Sequence, residues 1–358
     1  VPSVKRMKSG RWRARYRRDG KQYEKHFRRE IDATRWVREM TASDVTGAFV
    51  DPSRGRVTIS SIADVWLQTP SWTESTRARN RSIVGTYIIP RWGSVRVDRV
   101  AYETVQAWVN ELSLTLAPTT VHKVAGVLRS ILRVAVKSRR IAVNPASDLE
   151  LPRPKVKARR YLDACQVESL AEAADEHSLL VYVLAYTGLR FGELAGLQVA
   201  NVDLMRRRFR VERSVTEVNG ALVYSSPKDH QRRSVPYPAF LDDEIRALVS
   251  GRSLEAPLFT SPLGGVLRSR NVRRDWFDLA AKIAGVEGLT PHELRHTAAS
   301  MAISAGATPL GVQRMLGHEK ASVTLDVYSD LFDSDLDDVS NRMGALRSKA
   351  SEGKMRAI

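Results

Sequence analysis

Pro291-His292-Glu293-Leu294-Arg295-His296, then Leu316-Gly317-His318, then Asp326-Val327-Tyr328-Ser329, with a helical apolar pattern in between, is the stretch that decides how this chain reads. Together with Arg190 in Thr187-Gly188-Leu189-Arg190 and Lys228 in Pro227-Lys228, it supplies the candidate groups Arg190, Arg295, His292, His318, Lys228 and Tyr328. A phosphate diester repels nucleophiles, and its pentacoordinate transition state gathers further negative charge on the non-bridging oxygens. Guanidiniums can offer paired N–H donors to those oxygens, and donors aimed at developing charge are usually the largest catalytic contribution. Arg190 and Arg295 suit that task. A tyrosine hydroxyl, with an ordinary pKa near ~10, attacks phosphorus only beside cations or a base, and then holds the phosphoryl group covalently. Tyr328 is the candidate nucleophile, and Lys228 on a turn suits the general acid that protonates the leaving sugar oxygen.

The boxes Thr187-Gly188-Leu189-Arg190-Phe191-Gly192-Glu193-Leu194, His292-Glu293-Leu294-Arg295-His296, Leu316-Gly317-His318 and Tyr328 resemble those of the tyrosine recombinases, more narrowly the phage integrases, and suggest an integrase of an actinobacterial temperate phage. Order and spacing agree: His318 follows His292 by 26 residues, and Tyr328 follows His318 by 10. The resemblance implies that Tyr328 forms a 3′-phosphotyrosyl link, that Arg190 and Arg295 clamp the phosphate, and that His292 and His318 donate hydrogen bonds or handle the tyrosine proton. Lys228 is then the acid on a β-turn, although Asp229 stands where the family commonly has Ser or Thr. No metal or other cofactor is expected. One rival sits in the same residues, because His292-Glu293-Leu294-Arg295-His296 also satisfies the H-E-x-x-H zinc pattern. Arg295 would place a cation beside that metal, and no H-x-x-G-x-x-H continuation follows His296.

The 358-residue chain is 43% hydrophobic and 27% charged, which suits folded domains rather than a tail or fibre. A net charge of +17 points to a polyanion, and double-stranded DNA fits better than a membrane. The apolar run Leu179 to Ala185 is too short to span a bilayer, and the basic N-terminus leads into no apolar signal core. A cytoplasmic, DNA-associated protein is expected. The lone Cys165 excludes an internal disulfide and reads as a small helix residue.

Residues 1–29 carry twelve Lys/Arg against two Asp/Glu. Trp12 to Arg18 and Lys21 to Phe27 flank Asp19-Gly20, a strong hairpin signal, and a helix from about Asp32, as N-cap, to Ser43 could cover one face. Arg11, Arg13, Arg15, Arg17 and Arg18 are the candidate DNA contacts here. From Ile59 to Pro145 the periodicity is helical, over Ile62 to Leu67, Ser75 to Tyr87, Thr104 to Leu112 and Thr119 to Lys137, with breaks at Pro90, Trp92-Gly93, Pro118 and Asn144-Pro145. In the last helix Val121, Val124, Leu128, Ile131, Leu132 and Ala135 form an apolar face, while Arg129, Arg133 and Lys137 form a basic stripe; Arg77, Arg79 and Arg81 are its counterpart in the second helix. The basic, proline-stiffened stretch Leu151 to Arg160 joins domains and offers Arg159 and Arg160 to DNA. Beyond it, helices are expected at Glu168–Ala174 and Leu179–Tyr186, and strands at Phe209–Arg213, Leu222–Ser225 and Ser234–Tyr237 in one small antiparallel sheet. Glu193, three residues after Arg190, is placed to hold its guanidinium. His292 and Arg295, at i and i+3, should face the same way.

The expected fold is therefore multidomain and mainly α with α+β parts. By resemblance, residues 1–50 form an arm-type DNA-binding domain with a small three-stranded sheet plus helix, 51–58 a linker, 59–150 a helical, SAM-like core-binding domain, 151–160 a second linker, 161–340 the mixed α/β catalytic domain and 341–358 a tail. The resemblance also implies core-type and arm-type attachment sites, a homotetramer on DNA, a host DNA-bending protein and a directionality factor for excision. A conjugative-transposon integrase and a type IB topoisomerase-like strand transferase are the alternatives. The acidic positions Asp330, Asp333, Asp335, Asp337 and Asp338 fit either a docking segment for a neighbouring protomer or a solvated tail.

Overall fold

The structure, a computed structural model, describes residues 2–18, 20–45, 51, 54–154, 160–226 and 233–329, with positions 340, 343, 344 and 347 beyond them. Lys228, Arg159 and the acidic positions Asp330 to Asp338 lie outside the described residues. The chain divides into two compact units, Val1–Val156 and Lys157–Ile358.

In the first unit, β1 (Ser3–Arg6), β2 (Trp12–Arg18) and β3 (Lys21–Phe27) make an antiparallel sheet in the order β1-β2-β3. Alternation along β2 sends Ala14 and Tyr16 inward, where Tyr16 packs with Met40 of α1 (Glu30–Val45). Arg13, Arg15 and Arg17 take the opposite face, in register with His26, Glu24 and Gln22. Helix α1 starts two residues before the expected cap. Asp32 lies in its first turn, bonded to Arg29 at 2.9 Å, where a carboxylate complements the helix dipole.

The helical bundle comprises α2 (Ile59–Leu67), α3 (Glu74–Ile83), α4 (Ile89–Trp92), α5 (Tyr102–Ser113) and α6 (Pro118–Lys137). Val121, Val124, Leu128, Ile131, Leu132 and Ala135 of α6 are fully buried, as their spacing predicts. Pro90 does not break the second helix. A π-turn over Val84–Ile88, in which the Ile89 N–H reaches Val84 O, carries the helical path past the proline into α4. Residues 54–58 are not a free linker either. Gly55 is buried so close to Asp98 that an added Cβ would stand 2.7 Å from that residue's Cβ, and Thr58 caps α2 and pairs with Arg96.

The expected row of phosphate-binding cations is partly spent on the fold. Arg77 donates to Leu67 O at 2.9 Å and Thr69 O at 3.2 Å, beyond the end of α2. Arg129 donates to Ala146 O at 2.6 Å, and its own carbonyl accepts from Asn144. Orphan carbonyls at helix ends and loops need donors, and these guanidiniums supply them. Arg79, Arg81, Arg133 and Lys137 remain at least partly exposed.

The second unit begins with α7 (Ala164–Ala173), started by an Asp163/Gln166 capping box, and continues with α8 (Ser178–Thr187) and α9 (Phe191–Gly196). Its strands form two sheets rather than the one expected. β4 (Val202–Asp203), β5 (Arg208–Val211) and β8 (Arg233–Pro236) pair in that order, while β6 (Ser214–Val218) and β7 (Ala221–Ser225) make a separate hairpin. Asn219 and Gly220, both at positive φ, close that hairpin tightly enough to keep β7 with β6. Helices α10 (Asp242–Val249), α11 (Ser269–Val272), α12 (Asp278–Ile283), α13 (Pro291–Ser304), α14 (Pro309–Leu316) and α15 (Ala321–Tyr328) complete the described part. Helix α8 is buried at Leu180, Val181, Val183, Leu184 and Ala185, so it is the core helix against which α7 and α13 pack. Among the described residues, no helix is long and apolar enough to cross a membrane.

Leu128 has no exposed surface at the centre of α6. Leu128→Ala should therefore lower the stability of the helical bundle by about 2–5 kcal/mol. Exposed Arg133→Ala should change it by less than about 0.5 kcal/mol. Urea unfolding followed by the fluorescence of Trp92 and Trp108, which meet edge to face in this bundle, would separate the two.

Candidate active site

The site assembles around one carboxylate. Helix α8 stops at Gly188, whose φ of 66° provides the left-handed cap, and the chain turns through buried Leu189 to Arg190 at the start of α9. A side chain at position 188 would also meet Leu316 Cδ2 at 2.6 Å. One turn on, Glu193 has no exposed surface; its Oε2 accepts the Arg190 backbone N–H at 2.9 Å and its Oε1 accepts the Arg190 guanidinium at 2.9 Å. Arg233, at the start of β8, reaches the same carboxylate with two bonds of 2.9 and 2.7 Å and donates its Nε to Met315 O at 3.2 Å. Burial alone would raise the Glu193 pKa, but the hydrogen bonds and charge of Arg233, helped by Arg190, hold it down to about 2.

Arg295 is the second predicted clamp, and it points inward. It is 3% exposed and donates to Gly188 O at 2.6 Å and Leu316 O at 2.7 Å. Those carbonyls sit at the ends of α8 and α14, so this guanidinium ties two helix termini together while three of its five N–H donors take no part in these bonds. Burial, then the neighbouring Arg190 charge, bring its pKa down to about 9, which leaves it protonated at neutral pH. His292, by contrast, is exposed on α13, with its ring 5.3 Å from that of His296 and nearly perpendicular to it.

Gly317, at φ 67°, caps α14 and delivers His318, as the Leu316-Gly317-His318 spacing predicts. The His318 Nδ1 lies 2.9 Å from Thr324 Oγ1. Burial and the charges of Arg295, Arg190 and Arg233 lower its pKa to about 4, so the ring is neutral near pH 7. Tyr328 closes α15 with 1% exposure, packed beside Tyr161, and its hydroxyl lies 2.8 Å from His296 Nδ1. The structure thus brings Arg190, Arg295, His318, Tyr328 and Glu193 into one cluster, leaves His292 at its edge, and does not describe Lys228. Two members escape the sequence reading. Arg233 is not singled out there, and its one sequence signal is its place just before an expected strand. His296 reads only as part of a zinc pattern, although its i+4 spacing from His292 already places it on the next turn of α13. Among the described residues, no group of three or more His, Cys, Asp or Glu side chains is arranged to hold a metal ion.

Of the remaining DNA-contact candidates, Arg160 donates to Val286 O at 3.0 Å and Glu287 O at 2.9 Å. Arg15 is paired with Glu24 at 2.7 Å and Arg18 with Asp44 at 2.9 Å, whereas Arg11 and Arg17 are exposed.

Three guanidiniums near one buried carboxylate, with a tyrosine hydroxyl alongside, leave a surplus of positive charge that suits an anion. Comparison with known proteins agrees. Residues 160–335 match the profile of the phage integrase family, and residues 59–151 match that of the phage integrase central domain. The prophage phiRv2 integrase of Mycobacterium tuberculosis is 28% identical over 339 residues, covering 90% of this chain and 89% of that protein. The integrase of Mycobacterium phage FRAT1 is 30% identical over 258 residues, covering 68% and 73%. A lambda integrase tetramer bound to a Holliday junction shares the fold, with a TM-score of 0.57, 19% identity and coverage of 90% and 94%. The chain belongs to the phage integrase family of tyrosine recombinases, enzymes that break and rejoin DNA.

Glu193 makes stability depend on acid. Its folded pKa of about 2 lies below its ordinary 4.5, so its contribution is fully present above pH 4.5 and is lost as pH falls through 2. That contribution is on the order of 3 kcal/mol. Glu193→Gln should remove this part of the acid sensitivity and cost about 3–5 kcal/mol near pH 7, because two partly buried guanidiniums lose their counter-charge. Urea unfolding of both proteins between about pH 2 and about pH 7 would show it.

Proposed function

We propose that the chain integrates phage DNA at attachment sites, and excises it with a directionality factor, through a covalent 3′-phosphotyrosyl intermediate. The observation that carries this reading is the Arg190–Glu193–Arg233 cluster with Arg295 and the Tyr328 hydroxyl beside it. Arg190 and Arg295 clamp the non-bridging oxygens, since three arginines against one carboxylate leave positive charge for a phosphate that no other described group offsets. Arg233 and Glu193 hold Arg190 in place. His318, neutral and next to the arginines, donates a hydrogen bond to the phosphate, and His292 assists from the edge. Lys228 protonates the 5′-oxygen. The energy of the broken phosphodiester is conserved in the phosphotyrosyl bond, and a partner strand's 5′-hydroxyl reclaims it, so neither ATP nor a metal ion is required.

The prophage and phage integrases above align over 90% and 68% of the chain, which favours a phage over a conjugative transposon. A tetramer on DNA follows the lambda assembly of the same fold. The basic sheet at residues 3–27 grips arm-type sites with Arg11, Arg13 and Arg17, and the helical bundle grips core-type sites with Arg79, Arg133 and Lys137. A host bending protein and an excision factor complete the assembly.

The test uses a nicked suicide duplex carrying the core site, in EDTA, resolved on a denaturing gel. A covalent protein–DNA band is expected, and Tyr328→Phe should abolish it. Arg190→Ala should slow its formation by about 100- to 1,000-fold. A band that appears only when a divalent metal is restored would assign the chemistry to another class.

A further inference from the structure

His296 has no task in the reading above, yet its side chain meets the candidate nucleophile. Its Nδ1 lies 2.8 Å from the Tyr328 hydroxyl, and the two ring centroids are 5.8 Å apart at 57°. Tyr328 is 1% exposed, so bulk water is a poor proton acceptor for it in this state. Arg295 stabilises a tyrosinate by its charge but, as a cation, takes no proton. His318 turns its own Nδ1 to Thr324, and among three arginines it is too weakly basic to keep a proton near neutral pH. Among the described residues, Tyr328 from α15 and His292 from its own helix meet the His296 ring, and His318 from the cluster interacts with it electrostatically. Helix α8, also packed on α13, turns Tyr182 and Tyr186 toward Phe240 instead.

We propose that His296 is a catalytic residue of the cleavage step, orienting the Tyr328 hydroxyl through Nδ1 and taking its proton as the bond to phosphorus forms. The inference rests on the phosphotyrosyl reading above. The ring proton sits on Nε2, and the Nδ1 lone pair accepts from the hydroxyl. As the Tyr328 oxygen binds phosphorus, its O–H bond breaks and the proton passes to Nδ1. The phosphorus–O5′ bond breaks with its electron pair on the 5′-oxygen, which takes a proton from the separate general acid, Lys228. On rejoining, the attacking 5′-hydroxyl returns its proton to that side, and the His296 imidazolium reprotonates the departing tyrosine oxygen.

The test compares full-length wild type, His296→Asn, His296→Ala, Lys228→Ala and Tyr328→Phe on two core-site suicide duplexes. One is all-oxygen; the other carries a bridging 5′-phosphorothiolate, whose sulfur leaves without a proton. The His296→Asn variant keeps a hydrogen-bond acceptor near the Nδ1 position and removes the basic nitrogen. Both His296 variants should form the adduct about 100-fold or more slowly on both duplexes, with DNA affinity and thermal unfolding close to wild type for His296→Asn. Sulfur should rescue Lys228→Ala and leave the His296 variants slow. The wild-type rate should fall toward acid pH and level off above it, whereas in His296→Asn that plateau should disappear, leaving a rate that climbs steadily with pH. A Tyr328-dependent adduct formed by His296→Asn at the wild-type rate and pH profile overturns the inference alone, as does full rescue of His296→Asn by sulfur. No wild-type adduct, or one that survives Tyr328→Phe, overturns the phosphotyrosyl reading and this inference with it.

Discussion

The carboxylate of Glu193, fully buried between Arg190 and Arg233, is the interaction on which the catalytic unit depends. Guanidiniums this close repel one another in a medium of low dielectric, and without a counter-charge they would turn apart or draw in water. One carboxylate is enough to hold them and too little to neutralise them. The surplus of positive charge suits an anion, and in the proposed mechanism it is the preorganisation that electrostatic catalysis requires. Elements far apart in sequence meet at this one group, because Arg190 opens α9, Arg233 opens β8, and Met315 of α14 accepts the Arg233 Nε–H.

Arg295 extends the same logic to the backbone. Gly188 and Gly317 each end a helix in the left-handed conformation, and each turn has a carbonyl, Gly188 O or Leu316 O, that accepts from Arg295. In the proposed reading the residue that clamps the phosphate is also the clasp between the α8 and α14 ends, and its burial is the main reason its pKa falls to about 9. Function and stability are not separable at this position. The first unit shows a milder form of this economy, since Arg77 and Arg129 satisfy carbonyls and leave Arg79, Arg133 and Lys137 to meet solvent or a polyanion.

Much of this architecture is legible without coordinates. The α6 core positions follow from 3.6-residue spacing, the β2–β3 hairpin from Asp19-Gly20 between alternating runs, and the α13 and α14 starts from Thr290-Pro291 and Thr308-Pro309. The misreadings have different causes. Residues 54–58 pack against Asp98 and Arg96, contacts distant in sequence of which local propensity carries no record. The passage past Pro90 and the separate β6–β7 hairpin turn instead on local geometry, a π-turn and the positive φ of Asn219 and Gly220.

The sequence by itself determined the class of chemistry, because Arg190, Arg295, His318 and Tyr328 stand in boxes whose residue types and spacing suit an attack on phosphate. It also determined the family, the helical bundle and the strongly basic N-terminal sheet. Only the tertiary structure decided how the charges are arranged: that Arg233 shares Glu193 with Arg190, that Arg295 turns inward while His292 stays outside, and that His296 meets the tyrosine hydroxyl. The physical reason is that a side chain's partner is set by which helices pack together, and α13 meets α8, α14 and α15 only in the folded unit, where burial makes each hydrogen bond and each charge count for far more than it does in the extended chain.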